Sequence, residues 1–135
     1  MNVGEIMTAK TVTVELGDRL GTVKEIFDRL KFHHLLVVES GRLYGVVSDR
    51  DLLRALSPTL GTSAESDRDR AALNKQVHQI MSRKPVTLPP TATLDDAVAL
   101  FLSHNISCIP IVDGDFQPLG IVSVRDLLRT LAAPR

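Results

Sequence analysis

The chain has 135 residues, 16 basic and 16 acidic side chains and a formal net charge of +0, so it lacks the basic surface that nucleic-acid binding requires. Its one cysteine excludes an internal disulfide and suits a reducing cytoplasm, and no apolar run approaches the ~18 residues of a membrane span. We therefore expect a cytoplasmic module that binds no nucleic acid and enters no membrane.

The first half of the sequence predicts the order strand, helix, strand, strand, helix. Alternating β-branched residues predict the first strand, apolar residues at helical spacing predict the helix, and a continuous apolar run predicts a strand covered on both faces. The segments are a strand at Thr11–Val14, a helix with Leu20, Val23, Ile26, Phe27 and Leu30 on one face, a strand at Leu35–Val38, a turn at Ser40–Gly41, a strand at Leu43–Val47 and a helix at Asp49–Leu56.

A polar segment separates the two halves. Ser57–Asp69 is rich in Ser, Pro, Gly, Thr and charged residues, which is typical of a linker. From about Arg70 to Ile80 the composition favours a helix that leads into the second half.

The second half repeats the first, and such duplication predicts two similar units. The identities at an offset of 74 are Val3, Ile6, Met7, Lys10, Val12 and Thr13 with Val77, Ile80, Met81, Lys84, Val86 and Thr87. The copied elements are a strand at Val86–Leu88, a helix with Leu94, Ala97, Val98, Phe101 and Leu102 on one face behind a capping-box pattern at Thr93–Asp96, strands at Ile109–Val112 and Leu119–Val122, and a helix at Val124–Leu131. Pro110 cannot donate to a sheet, so we expect that end of its strand to lie at an edge or beside a ligand.

The most specific pattern is Gly45–Asp51, which returns as Gly120–Asp126 at an offset of 75. Both segments read Gly-apolar-apolar-Ser-x-Arg-Asp at a strand-to-helix junction. One interpretation is a helix cap, because Ser-x-x-Asp has the spacing of a capping box. The other is a ligand site, since the carboxylate suits ribose hydroxyls and the Arg and the helix N-terminus suit phosphate. A cap tolerates other residue types, so the identity of Ser, Arg and Asp in both copies favours the ligand site.

These duplicated strand-helix-strand-strand-helix units, each closing with Gly-apolar-x-Ser/Thr-x-x-Asp, resemble a tandem pair of CBS (cystathionine β-synthase) domains. The openings Val3–Met7 and Val77–Met81 and the segment Ile109–Asp113 fit the same family. The resemblance implies a mixed α/β (α+β) fold, with two β-α-β-β-α repeats packed with pseudo-two-fold symmetry. It assigns residues 1–56 to the first repeat, 57–76 to a linker and lead-in helix, and 77–135 to the second repeat.

The resemblance also implies a stand-alone regulatory module that binds an adenine nucleotide in clefts between the repeats. In the family, the Asp of the closing motif holds ribose hydroxyls and the Ser contacts ribose or phosphate, which here are Asp51 with Ser48 and Asp126 with Ser123. The other residues implied to line the clefts are Lys10, Thr11, Val12, His33, His34, Leu35 and Arg50 in one, and Lys84, Pro85, Val86, Ser107, Cys108, Ile109 and Arg125 in the other.

The two clefts differ in sequence. Leu36 stands where the second repeat has Pro110, and the bulky His33 and His34 stand where it has Ser107 and Cys108. We therefore expect the cleft of the second repeat to be the roomier one.

Metal binding and catalysis have little support in the sequence. His33, His34, His78 and His104 have no Cys or carboxylate at a metal-ligand spacing. Cys108 at the start of a strand is typical of a small buried apolar residue rather than a nucleophile. We expect no catalytic residues, no metal site and no required cofactor.

The sequence therefore predicts a non-catalytic sensor of AMP, ADP or ATP, with magnesium accompanying ATP, that forms a homodimer and acts on an unidentified regulated protein. The alternative is a ligand-free dimerisation or scaffold domain in which the Ser and Asp side chains only cap helices. An enzyme that hydrolyses a nucleotide and a nucleic-acid-binding protein remain as further alternatives, although the first lacks a paired nucleophile and base and the second a basic surface.

Overall fold

The computed structural model describes residues 1–56 and 59–132, and it has the mixed α+β architecture that the sequence predicts. The chain divides into two compact units, and each unit draws on both halves of the sequence. Unit 1 comprises Met1–Thr11, Ser40–Leu43 and Lys84–Arg135, and unit 2 comprises Val12–Glu39 and Tyr44–Arg83.

The elements reproduce the predicted order of strand, helix, strand, strand and helix in the first half. In chain order they are α1 (Val3–Ile6), β1 (Thr13–Glu15), α2 (Leu20–Arg29), β2 (His34–Glu39), β3 (Arg42–Ser48), α3 (Asp49–Ala55), α4 (Asp67–Ala72), a 3₁₀ helix (Val77–Gln79), β4 (Ser82–Arg83), α5 (Leu94–Ser103), β5 (Cys108–Val112), β6 (Pro118–Ser123) and α6 (Val124–Ala132).

The larger sheet has the order β1-β2-β3-β4, with β1 parallel to β2 and β3 antiparallel to β4. All four residues of the apolar run Leu35–Val38 are buried, which confirms that β2 is covered on both faces. Helix α2 turns Leu20 and Val23 into the core beside this strand, and both are completely buried. The Ser40–Gly41 turn has φ angles of 50° and 78°, the left-handed pair that a tight two-residue hairpin requires.

In unit 1, β5 and β6 form an antiparallel hairpin, and α1 and α6 pack against β6. Helix α5 packs against α6 and contributes Ala97, which is completely buried. The expectation that Leu102 lies on the buried face of α5 is wrong, because its side chain is 84% exposed. Leu100, three residues after Ala97 and therefore on the same side of the helix, packs against the core instead.

The opening segment of each repeat packs beside the closing strand of the other repeat. In unit 1, a Cβ atom on Gly120 would lie 2.6 Å from the Sδ of Met7 and 2.8 Å from the carbonyl oxygen of Thr8. In unit 2, a Cβ atom on Gly45 would lie 2.6 Å from the Sδ of Met81. Glycine therefore stands at the head of both closing motifs because another segment passes too close for any side chain.

The predicted strand at Val86–Leu88 is wrong, since only Leu88 pairs, in an isolated parallel bridge to Ile111. In the first repeat the N–H of Leu36 donates to the carbonyl of Val12 at 3.2 Å. The equivalent residue of the second repeat is Pro110, which has no N–H to donate to Val86. Pro110 therefore ends the pairing on this side. Leu88 makes the remaining bonds: its N–H donates to the Pro110 carbonyl at 3.2 Å, and its carbonyl accepts a bond from the Val112 N–H at 3.1 Å.

The predicted helix from Arg70 to Ile80 is also wrong. Helix α4 begins earlier, at Asp67, and ends at Ala72. Ser66 and Asp69 form a capping box that fixes this start, and the buried Asp69 also accepts a hydrogen bond from Thr59. The capping side chains, rather than the helical composition further on, decide where the helix lies.

Candidate functional site

Two strand-to-helix junctions, one in each unit, have the same local geometry. At the end of β3 the N–H of Ser48 donates to Asp51 Oδ2 at 2.8 Å, and the N–H of Asp51 donates to Ser48 Oγ at 3.1 Å. At the end of β6 the N–H of Ser123 donates to Asp126 Oδ2 at 2.8 Å, and the N–H of Asp126 donates to Ser123 Oγ at 3.1 Å. Both motifs are therefore capping boxes, and each carboxylate uses only Oδ2 in the box.

The start of the preceding strand lies beside each junction. The N–H of Asp49, the first residue of α3, donates to the His33 carbonyl at 3.0 Å, and the N–H of Val124 donates to the Ser107 carbonyl at 3.3 Å. In unit 1, Cys108 also pairs with Ser123 across the hairpin. The structure thus places the start of β2 beside the first motif and the start of β5 beside the second.

Residues 10–12 and residues 84–86, the equivalent segments that lead into the repeats, are divided differently between the two units. Val12 lies beside β2 through its bond from Leu36, and Lys10 and Thr11 belong to unit 1 while the first motif belongs to unit 2. In the second repeat, Lys84, Pro85 and Val86 all lie in the unit that holds the second motif. Lys84 has a φ of 51°, a left-handed conformation that is uncommon for residues other than glycine.

Charge is distributed unevenly around the first motif. His33 Nδ1 lies 2.9 Å from Asp49 Oδ2. Burial lowers the pKa of His34 below its usual value of 6.5, although the carboxylates of Asp49 and Asp51 act in the opposite direction. A neutral His34 at neutral pH donates or accepts a hydrogen bond, and the exposed Arg50 is then the cation available to an anionic ligand.

The second motif keeps its carboxylate partly accessible. The side chain of Asp126 is 13% exposed, and its Oδ1 lies 3.9 Å from the guanidinium of Arg129, whose side chain is 72% exposed. Arg125 is exposed on the same turn of α6. A carboxylate oxygen that is free of the cap, next to exposed guanidinium groups, can accept hydroxyl donors while a cation meets a neighbouring anion.

Sequence reasoning missed two features of the site. The first is the pair Gly45 and Gly120, which have no side chain and so leave space for the opening segment of the other repeat to pack against the motif. The occurrence of glycine at both positions, 75 residues apart, is the sequence signal for this contact. The second is the carbonyl of Val86, which loses its sheet donor because the opposing residue is Pro110. The proline itself signals this, since it stands where the first repeat has Leu36.

The structure shows neither a metal cluster nor a membrane-spanning helix in the part of the chain that it describes. Within residues 1–56 and 59–132, no three His, Cys, Asp or Glu side chains are grouped so that they could hold a metal ion. No helix in these same ranges is both long enough and apolar enough to span a membrane.

Comparison with known proteins gives consistent matches along the chain. The family profile of the CBS domain matches residues 3–58 and 77–133. A CBS domain-containing protein of Dictyostelium discoideum is 30% identical over 131 residues, which cover 96% of this chain and 90% of that protein. These matches reproduce the two repeats that the sequence shows.

Solved structures share the fold. CBSX2 from Arabidopsis thaliana, a CBS-pair protein, is 28% identical with a TM-score of 0.80, covering 96% of this chain and 93% of that one. A structure of CBSX2 in complex with AMP is 26% identical with a TM-score of 0.78, covering 96% and 95%. The cytosolic domain of the Mg²⁺ channel MgtE, in complex with ATP, is 26% identical with a TM-score of 0.76, and the match covers 96% of this chain but 48% of that one.

Proposed function

This chain belongs to the CBS-domain family, and we propose that it is a regulatory module that binds an adenine nucleotide, AMP, ADP or ATP, at its two Ser-x-Arg-Asp motifs. The observation that carries the proposal is the repeated junction, in which an Asp with one oxygen outside its cap lies beside a strand start and an exposed Arg. Relatives with this fold are seen with AMP and with ATP.

Each group has a chemical role in the proposal. The carboxylates of Asp51 and Asp126 accept the ribose hydroxyls, and Arg50 and Arg125 neutralise phosphate oxygens, with magnesium accompanying ATP. No bond of the nucleotide is broken. Binding acts only by favouring one arrangement of the protein over another, which requires a different affinity for each.

The backbone of the second repeat adds a reason for base recognition. An adenine amino group donates hydrogen bonds, and the Val86 carbonyl has lost the donor that Leu36 supplies in the first repeat. The proposal therefore assigns the base at the second motif to the segment at Pro85 and Val86. In the proposal, Ser107, Cys108 and Ile109 also line the nucleotide site at the second motif, as His33, His34 and Leu35 do at the first motif.

The proposal also covers the cellular location, the oligomeric state and the partner of the module. We place it in the cytoplasm as a homodimer that passes the nucleotide signal to a regulated protein. A neutral net charge and a single cysteine support this setting.

The rival function is a ligand-free scaffold, and the capping bonds favour it because they already give Ser and Asp a structural task. The chain also contains a matched control, the capping box of Thr93 and Asp96 at the start of α5, with bonds of 2.9 and 3.1 Å. That box has the same local geometry but lies outside both closing motifs.

The test is calorimetric titration of nucleotide-free protein with AMP, ADP and ATP, with and without magnesium. Asp126→Asn keeps a cap acceptor but loses a carboxylate, so we expect affinity at one site to fall at least about tenfold, and Asp51→Asn to do the same at the other site. Asp96→Asn should leave affinity unchanged. Absence of binding by the wild-type protein would support the scaffold, whereas equal affinity in all variants would contradict the roles assigned to Asp51 and Asp126.

A further inference from the structure

The start of β2 places two histidines beside the first Ser-x-Arg-Asp motif. The His33 carbonyl accepts a bond from the N–H of Asp49 at 3.0 Å, and His33 Nδ1 lies 2.9 Å from Asp49 Oδ2. His34 is the first residue of the strand and is half-buried. The carboxylates of Asp49 and Asp51 act on its imidazole from α3, and His33 acts on it from the chain just before the strand. Imidazoles change their charge between about pH 5 and about pH 8, so the charge of this cluster depends on pH.

The second motif is an internal reference because it has no histidine at these positions. Ser107 and Cys108 stand where the first motif has His33 and His34, and Val124 stands where it has Asp49. Hydroxyl and alkyl side chains do not titrate in this range, and a thiol ordinarily titrates near about pH 8.5. At these three positions the second motif therefore has no group that changes its charge between about pH 5.5 and about pH 7.5.

The permanent charges of the two motifs also differ. The first motif has one guanidinium, Arg50, and two carboxylates, Asp49 and Asp51, whereas the second motif has one of each. The phosphate groups of a nucleotide are negative, so the additional carboxylate opposes binding at the first motif unless another cation offsets it. A protonated imidazole at His34 is such a cation, and a bound phosphate favours its protonated form in return.

We propose that nucleotide binding at the first motif takes up a proton at His34, so that this site strengthens as the pH falls while the second site does not gain in the same way. The inference rests on the proposed function, since it assigns regulation to one of its two sites. Burial keeps His34 neutral in the free protein by lowering its pKa below 6.5, and an anion that binds nearby reverses this preference. The second site then responds to the nucleotide alone, and the first responds to the nucleotide and to pH together.

The experiment is calorimetric titration of nucleotide-free protein with AMP, and separately with ATP, at about pH 7.5, 6.5 and 5.5. The Asp126→Asn variant reports binding at the first motif, and the Asp51→Asn variant reports binding at the second. Protonation of the nucleotide itself affects both variants equally, so the difference between them isolates the protein. Between the highest and the lowest pH we expect affinity in Asp126→Asn to rise at least about fivefold more than in Asp51→Asn, since one proton allows up to about tenfold per pH unit.

Substitution of the histidine assigns the effect to one side chain. In the Asp126→Asn background, His34→Gln should remove the additional pH dependence, because glutamine forms hydrogen bonds but takes up no proton. The exposed His104→Gln in the same background is the control and should retain it. Repeating the titrations in two buffers of different ionisation enthalpy counts the protons taken up per nucleotide. That count should be higher in Asp126→Asn than in Asp51→Asn.

The other outcomes separate this inference from the proposed function. Equal pH dependence and equal proton uptake at the two motifs overturn the inference and leave the proposed function standing. An additional pH dependence that persists in His34→Gln overturns the role of His34. Absence of binding at every pH contradicts the proposed function and the inference with it. Circular dichroism checks that each variant folds, and the proton count decides the question without a substitution at His34.

Discussion

At the scale of single residues, a missing side chain decides how close two backbone segments come. Gly120 leaves room for Met7 and for the carbonyl of Thr8, which accepts a bond from Ile121 at 3.0 Å. Met7 can move its flexible end, but the carbonyl belongs to a paired backbone and cannot. The close approach is therefore a backbone requirement as well as a side-chain one.

We expect Gly120→Ala to lower the free energy of unfolding by about 1–3 kcal/mol, the usual cost of overpacking. Gly114→Ala is the control, since nothing lies within 4 Å of a Cβ built there, and it should change stability by less than about 0.5 kcal/mol. Urea unfolding of both variants measures the difference. Equal stability would contradict the close approach.

His34 carries the second prediction at this scale. Burial lowers its pKa below 6.5, with His33 acting in the same direction and Asp49 and Asp51 opposing. Below pH 6.5 the unfolded chain therefore binds a proton that the folded chain resists, so stability falls as the pH drops through and below that value. Above this pH neither the folded nor the unfolded chain takes up a proton at His34, so the titration of His34 costs no stability there.

Replacing His34 by Gln should reduce the loss of stability between about pH 7.5 and about pH 5.5, because the variant has no proton to take up at this position. The exposed His104→Gln variant serves as the control and should lose as much stability as the wild type. Denaturant unfolding at both pH values gives the comparison. An unchanged pH dependence in His34→Gln would show that other groups cause the loss.

At the scale of elements, prolines decide how far a segment pairs with a sheet. In the first repeat Thr13, Val14 and Glu15 pair with β2, and Leu36 donates to Val12. The second repeat keeps a single bridge because Pro110 has no proton to donate at one end, and Pro89 and Pro90 replace Glu15 and Leu16 at the other. The bond lost at Pro110 could not be predicted from Val86 and Thr87, because they have the same strand preference as Val12 and Thr13. The limiting group is on the opposing strand.

Pro110→Ala should restore the missing bond, and the backbone amide that the substitution creates should exchange slowly with solvent as it donates to Val86. Hydrogen exchange followed by nuclear magnetic resonance measures this, with the Leu36 amide as the internal standard. If the nucleotide's base meets the Val86 carbonyl, affinity at the second motif should fall by up to about tenfold, the value of one hydrogen bond. A new amide that exchanges as fast as a loop amide would contradict the assigned role of the proline.

At the scale of the whole molecule, each compact unit contains the opening of one repeat and the body of the other. Val3 is completely buried in the core that contains Ile109 and Val122, and Val77 is completely buried in the core that contains Leu35. The N–H of Val3 also donates to the Ala92 carbonyl at 2.9 Å. A change in the first repeat's opening should therefore be felt in the second repeat.

We expect Val3→Ala to lower the free energy of opening of β5 and β6 by about 2 kcal/mol while β2 is largely unaffected. Val77→Ala is the matched variant and should show the reverse pattern. Native-state hydrogen exchange measures both. If Val3→Ala loosens β2 rather than β5, each opening packs on its own repeat.

The sequence determined the features that depend on neighbours a few residues apart. The duplication follows from identities at fixed offsets, the helices within the two repeats from spacing, and the capping boxes of the repeats from Ser-x-x-Asp and Thr-x-x-Asp, because these bonds join residues three apart. The family followed from the same motifs. The ligand roles of Asp51 and Asp126 stay predictions, since the capping bonds satisfy Ser and Asp whether or not a nucleotide binds.

Only the tertiary structure decided which distant segments meet. Met7 and Met81 are the same residue in the same motif, so nothing near either one specifies whether it approaches Gly45 or Gly120. Likewise, Leu100 and Leu102 have the same hydrophobicity, and only the direction of the core buries the first and exposes the second. Local hydrogen bonds are specified by adjacent residues, whereas contacts between segments far apart in the chain depend on how closely the backbones pack.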